Sequence, residues 1–218
     1  MLTALIILLI SRIRKNRLIR KKLLSLFLLL VPALLIAQGV KYNYEILKNG
    51  KNAGRVIVMH TRDGNRDMLH LEAFIKTNLV VGIRVKNIEK IISENGRIIQ
   101  SSFHRTINNS NPVSRTIKFH NDHYLIEKNG NTRKLEVQNI QFNMASIYVN
   151  EPLAATRIYS DAAERFLEVR EISSGVYQVS LPDGGVNIYH YQNRICRKIE
   201  VKQKLFHAEI HLRSISQL

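Results

Sequence analysis

The chain has a single cysteine, Cys196, and no tryptophan, and its first 37 residues contain no acidic side chain. One cysteine excludes an intrachain disulfide and any zinc site built on cysteine spacing. A glycine-rich phosphate loop, a nucleophile elbow and a zinc-protease helix signature are also missing. No motif therefore names a reaction. No stretch alternates a strand with a long amphipathic helix, which argues against a parallel α/β sheet. There is neither an internal repeat nor a low-complexity linker. What is present suits one globular domain: 218 residues, 45% of them hydrophobic. A domain of that length buries roughly 70% of its unfolded surface and needs no disulfide or metal to fold.

The formal charge of +16 is uneven. Arg12, Arg14, Lys15, Arg17, Arg20, Lys21 and Lys22 crowd the N-terminus. Without those seven, 26 basic residues face 17 acidic ones, a net of +9. Attraction to acidic headgroups or other polyanions follows. The basic residues alternate with apolar ones, as on a solvated sheet face, with no aromatic-interleaved basic patch, so nucleic acid is not an expected partner.

Residues 1–37 read as an address. Leu23 to Ala37 is an apolar run of 15 residues, broken by Ser25 and Pro32. That is short of the roughly 20 residues a spanning helix needs. It suits a secretory signal, with Arg20, Lys21 and Lys22 in front and Ala37 at the cut, although Leu35 is large for the position two residues earlier. An uncleaved anchor is the alternative. The first 19 residues, with their short apolar run Leu2 to Ile10, fit either a translation start placed too early or a membrane-lying hairpin. The expected division is 1–37 as signal segment and 38–218 as one domain.

From Val40 the hydrophobic period is two. Val40, Tyr42, Tyr44 and Ile46 share a face, as do Leu69, Leu71, Ala73 and Ile75, then Val113, Ile117 and Phe119, then Phe206, Ala208, Ile210 and Leu212. Such runs are half-buried antiparallel strands. The turn signals are "NGKNAG" at 49–54, "DGN" at 63–65, "NG" at 95–96, "NNSNP" at 108–112, "NGN" at 129–131 and "PDGG" at 182–185. The reading is all-β and mainly antiparallel: a single curved sheet or open barrel of about ten to twelve strands. The Ala-richer segment 141–166 breaks the pattern. Phe142, Ser146 and Val149 lie at roughly helical spacing there, which predicts a short linking helix before Pro152.

Candidate chemistry is thin. In "HAEIHLR", His207, Glu209 and His211 share one strand face at metal-ligand spacing, the weak candidates for a metal. Phe206, Ala208, Ile210 and Leu212 claim the core, which sends the three towards solvent. His120 and His123 flank a turn through Asn121 and Asp122. Cys196 is read on the face of Arg194, Lys198 and Glu200, opposite Ile195, Ile199 and Val201, as a structural cysteine without a general base. The acid pairs Glu45 with Glu89 and Glu164 with Glu168 have no spacing that fixes their separation. Neither a catalytic set nor a cofactor is implied. The sheet itself has an apolar face to cover. A concave apolar side suits acyl chains, with Lys and Arg at the rim. Tyr42, Tyr44, Leu71 and Ile75, of one strand parity, are the expected ligand-binding residues.

Four stretches carry a family resemblance: "EILKNGKNAGRVIV", "VKNIEKIISENGRIIQSSFHRTINN", "MASIYVNEP" and "LPDGGVNIYHYQNRICRKIEV". Together they sample most of Val40 to Arg213. They resemble a domain-of-unknown-function family of small exported proteins of Gram-negative bacteria. The resemblance implies one curved antiparallel sheet, distantly similar to the open barrels of LolA-type periplasmic lipoprotein carriers. It implies no catalytic residues. This chain departs from the pattern at Arg194, where a glycine is expected after Asn193, which puts the tightness of that turn in question.

The reading is thus an exported, non-catalytic binding protein of the periplasm or cell envelope, a carrier of a lipid or other apolar ligand. It would contact membrane through the signal segment or its basic surface. An envelope protein- or glycan-interaction module is the second reading, and an enzyme on an envelope substrate the third.

Overall fold

The structure is a computed structural model and describes residues 39–77, 82–203 and 206–218. The signal-or-anchor reading of 1–37 lies outside the described residues. Asn-Gly pairs turn the chain where the sequence places them. Asn49 and Gly50, Asn95 and Gly96, and Asn129 and Gly130 all have φ between 50° and 78°. These are the two-residue turns whose twist matches that of the strands they join.

The first strands are β1 (Gly39–Lys48), β2 (Lys51–Asp63), β3 (Arg66–Thr77), β4 (Ile83–Glu94), β5 (Arg97–Ile107), β6 (Ser110–His120), β7 (His123–Lys128) and β8 (Asn131–Leu135). A crossing segment, 136–156, follows. Then come β9 (Arg157–Ser160), β10 (Arg165–Ser173), β11 (Val176–Ser180), β12 (Val186–Gln192), β13 (Ile195–Gln203) and β14 (Phe206–Gln217). All fourteen form one sheet in the order β8-β7-β6-β5-β4-β3-β2-β1-β14-β13-β12-β11-β10-β9, every neighbouring pair antiparallel. The count exceeds the expected ten to twelve because β7, β8 and β9, of six, five and four residues, are too short to show a clear period. The expected linking helix is a single 3-10 turn, Ser146–Tyr148. The helical spacing around it reflects a segment buried on several sides.

The sheet is two meanders joined by the β1–β14 ladder. Among the described residues no ladder joins the edges β8 and β9. Side chains bridge that seam instead. Glu164, just beyond β9, takes Lys128 at 2.8 Å, Arg133 at 3.0 Å and Arg115 at 2.6 Å. Arg115 also donates to the backbone carbonyls of Asp161 and Ala162.

The crossing segment runs along the concave face. The Ile140 carbonyl accepts from the Ile98 N–H at 2.8 Å, and Phe142 and Met144 bracket Tyr159 on β9. Ile140, Ala145 and Ile147 are buried within the same core as the inward residues of both meanders. The strand parities read from sequence hold for Tyr44 and Ile46, Leu69 and Leu71, and Ala208 and Ile210, which all point inward.

Cys196 does not follow its expected parity. A bulge at Arg197 sets Cys196 opposite Tyr191 but Lys198 opposite His190. The extra residue reverses the alternation. Cys196 therefore points into the core with Ile199, away from Lys198 and Glu200. Burial pushes its thiol up to about 12, so it stays a neutral, inert core group. The turn at Arg194 stays a two-residue turn, with Asn193 at φ 51° and Arg194 at φ 63°. Arginine there accepts a left-handed backbone that glycine adopts without cost. A second bulge, at Ala53, requires Gly54. Its φ is 151°, and a Cβ would stand 2.0 Å from the Phe74 carbonyl oxygen.

Candidate functional site

In an antiparallel sheet alternate connections share an end. The connections 49–50, 108–109, 129–130, 161–164 and 181–185 lie together, and at that end the interior is not filled. A cavity of about 560 Å³ opens there, within the range of small-molecule sites. Its walls are Ile46, Val56, Leu71 and Ile75 from β1–β3 and Leu167, Ile199 and Ile210 from the other meander. The crossing segment contributes Met144, Ala145 and Tyr148, and the end loops contribute Ala162, Ala163, Pro182 and Asp183.

Of the expected ligand-binding residues, Leu71 and Ile75 line this cavity and Tyr42 and Tyr44 do not. Tyr44 is buried beneath the crossing segment. Its hydroxyl is 3.1 Å from the carbonyl oxygens of both Tyr148 and Cys196, and its ring meets Tyr148 edge-on at 5.4 Å. Tyr42 packs against the same core. Tyr191 Oη donates to the Ile147 carbonyl, Tyr177 Oη to Glu151 at 3.1 Å, and Tyr124 Oη to the Ile98 carbonyl while accepting from Ile140 N–H. These tyrosines hold the crossing segment in place.

Of the polar part of the wall, sequence reasoning named only Glu89, in a pair with Glu45. On β4, Asn87 and Glu89 occupy inward positions between Val85 and Ile91, and each is 9% exposed. Asn87 Nδ2 donates to Glu89 Oε1 at 2.7 Å. Asn87 Oδ1, Arg105 Nε and Asn187 Oδ1 are buried without a hydrogen-bond partner, and all three residues line the cavity. Burial, and then the nearby Asp161 carboxylate, push Glu89 up to about 7. Burial lowers Arg105. Among the described residues Glu89 forms no ion pair. Asp161, 3% exposed, is held by Ser101 Oγ at 2.5 Å and Asn143 Nδ2 at 2.9 Å, and its carboxyl is raised by burial. Parity carries no signal there: in "VKNIEKII" Val85 and Ile91 share the face of Asn87 and Glu89, while Ile88 and Ile92 share that of the two lysines. Arg105 shares the face of Phe103.

The remaining candidates lie on the outer surface. His211 bonds Glu209 at 2.8 Å, Glu209 takes Lys198 at 2.8 Å, and His207 is exposed. Among the described residues no three His, Cys, Asp or Glu side chains are placed to hold a metal ion. His120 and His123 pair across their turn, rings 5.9 Å apart, with His123 on Asp122 at 2.8 Å. Glu45 faces outward onto Asn52 and Arg213, so it does not meet Glu89. Glu164 is spent on the seam, while Glu168 pairs with Arg170.

With this geometry established, the chain is placed by comparison. It belongs to the family described as a domain of unknown function (DUF6134), whose model matches residues 44–213. No curated protein matches it. Among solved structures it is similar to the crystal structure of a β-barrel-like protein of a domain of unknown function, DUF1849, from Brucella abortus. The identity is 10% and the TM-score 0.57, over 84% of this chain and 98% of that one. At that identity the likeness concerns the fold alone: an antiparallel, barrel-like sheet.

Proposed function

We propose that this domain binds a lipid or another ligand with an apolar body, without catalysis, inside the open end of its barrel-like sheet. The observation that carries the reading is the cavity. An interior of this size normally closes by side-chain packing. Here the inward rows of both meanders leave about 560 Å³ with mostly apolar walls. Exposed Lys51, Lys76, Arg84, Lys86 and Lys202 stand near the same end. They would favour approach to an acidic surface. Export to the periplasm or envelope, and a carrier role like that of LolA-type proteins, belong to this reading. They are supported by the Arg20 to Ala37 signal pattern and by the curved sheet.

The test is native mass spectrometry of the protein recovered from its host envelope, followed by uptake of an uncharged fluorescent probe, N-phenyl-1-naphthylamine. The expected result is a mass beginning near Gln38, an adduct of lipid size and saturable probe uptake. A bare protein that takes up no probe overturns the binding role and moves the function to an interaction surface. A mass that retains Arg20 to Ala37 overturns release from the membrane.

A further inference from the structure

We propose that the cavity receives its ligand by an uncharged hydroxyl head, seated on Asn87, Glu89 and Asn187. This rests on the ligand-binding reading above and specifies the ligand as a hydroxyl-headed amphiphile, such as a long-chain alcohol or a monoacylglycerol.

The argument is one of hydrogen-bond inventory. Asn87 spends an N–H on Glu89 Oε1, which turns its own Oδ1 away from that bond, and the oxygen has no partner. Asn187 Oδ1 is likewise unpartnered on the wall of the same cavity. With the Glu89 carboxyl, the wall is rich in acceptors. Arg105 Nε is the one buried, unpartnered donor on it among the described residues. A buried polar group without a partner forfeits its bonds to water and gains nothing in return. Several on one wall mark a place where a bound molecule completes the bonding. Asn87 satisfies the further demand that such a group be almost wholly buried, at 9% exposure, while lining the cavity.

The ligand chemistry follows from what each head would meet. A carboxylate or phosphate brings acceptors to acceptors and adds negative charge beside Glu89 and Asp161. An ammonium suits Glu89 but meets Arg105 on the wall and the exposed lysines and arginines at the open end. A hydroxyl donates to an amide or carboxyl oxygen and also accepts from a guanidinium N–H. It satisfies both kinds of group and brings no charge into a low-dielectric site.

The experiment is competition against the bound naphthylamine probe at pH 8, using an alcohol, a carboxylate and an amine of equal chain length. The alcohol is expected to displace the probe at about tenfold lower concentration than either charged analogue. Asn87→Leu is expected to remove most of that preference, each competitor being read against the variant's own probe affinity. Asn187→Leu serves as a second variant should Asn87→Leu not fold. Equal competition by the three heads, or a preference that survives both substitutions, overturns the hydroxyl subsite and leaves the apolar cavity standing. Failure of the wild-type protein to take up the probe overturns the ligand-binding reading itself, and this subsite with it.

Discussion

Beneath the crossing segment, Tyr44, Tyr124, Tyr177 and Tyr191 each hydrogen-bond at the hydroxyl. On the cavity wall, Asn87, Arg105 and Asn187 each keep a buried atom with no partner. Both regions are polar groups inside the apolar interior of one sheet, and the physical rule is the same for each. Where the chain supplies the partner, the group fixes structure. Where it does not, the group costs stability and is available to a ligand. The comparison separates residues that hold the fold from residues that await something else. Tyr159 Oη and Arg97 Nε depart from the rule, each buried without a hydrogen-bond partner outside the cavity.

The most severe way to break the comparison is to loosen the crossing segment. Ile147 is fully buried against the tyrosines' side of the core. Ile147→Ala should cost about 2–5 kcal/mol in urea unfolding. A loss below 1 kcal/mol would mean that the segment does not anchor the barrel.

On the cavity side the sign should reverse. Glu89, pushed up to about 7 from its ordinary 4.5, holds its proton more tightly when folded. Its contribution is present in full below pH 4.5 and is lost as the pH rises through 7. Glu89→Gln should therefore stabilise the protein by about 1–3 kcal/mol at pH 8. It should do little at pH 4 and flatten the stability slope between those values. Glu164 behaves oppositely. Lys128, with Arg133 and Arg115, holds it down to about 2. Its share is present above 4.5 and lost as the pH falls towards 2. Thermal melts across pH 2–8 would separate the two carboxylates, and a Glu89→Gln protein less stable than wild type at pH 8 would contradict this assignment.

A smaller loss is expected from Tyr44→Phe, which removes the one hydroxyl hydrogen within reach of the Tyr148 and Cys196 carbonyls. It should cost about 1–2 kcal/mol without changing probe uptake, because Tyr44 does not line the cavity. Reduced uptake at unchanged stability would return Tyr44 to the binding surface. The smallest effect tests the turn between β12 and β13. Arg194→Gly relieves a left-handed arginine and should raise stability by about 0.5–1 kcal/mol in the same urea assay.

Much of the scaffold was legible in the sequence because its determinants are local. Period-two runs gave the strands, and the Asn-Gly pairs gave the turns. Leu71 and Ile75, two of the four residues expected to bind a ligand, line the cavity. The reading failed at Cys196, where one bulged residue, Arg197, reverses every later position on β13. It also passed over Asn87, and it named Glu89 only in a pair with Glu45. Both faces of 85–92 hold two apolar residues, so the inward one is fixed only by the neighbours it meets across the sheet.

The amino-acid sequence by itself therefore determined an antiparallel, turn-rich, basic β domain, since strand propensity and tight-turn geometry act over a few residues. Only the tertiary structure decided three further things. It joined β1 to β14 and laid 136–156 along the concave face. It brought Ser101 to Asp161, sixty residues apart. And it left one end unfilled, with Asn87 Oδ1, Arg105 Nε and Asn187 Oδ1 lacking a hydrogen-bond partner around it. Each depends on which distant residues share a buried space, and no local pattern encodes that.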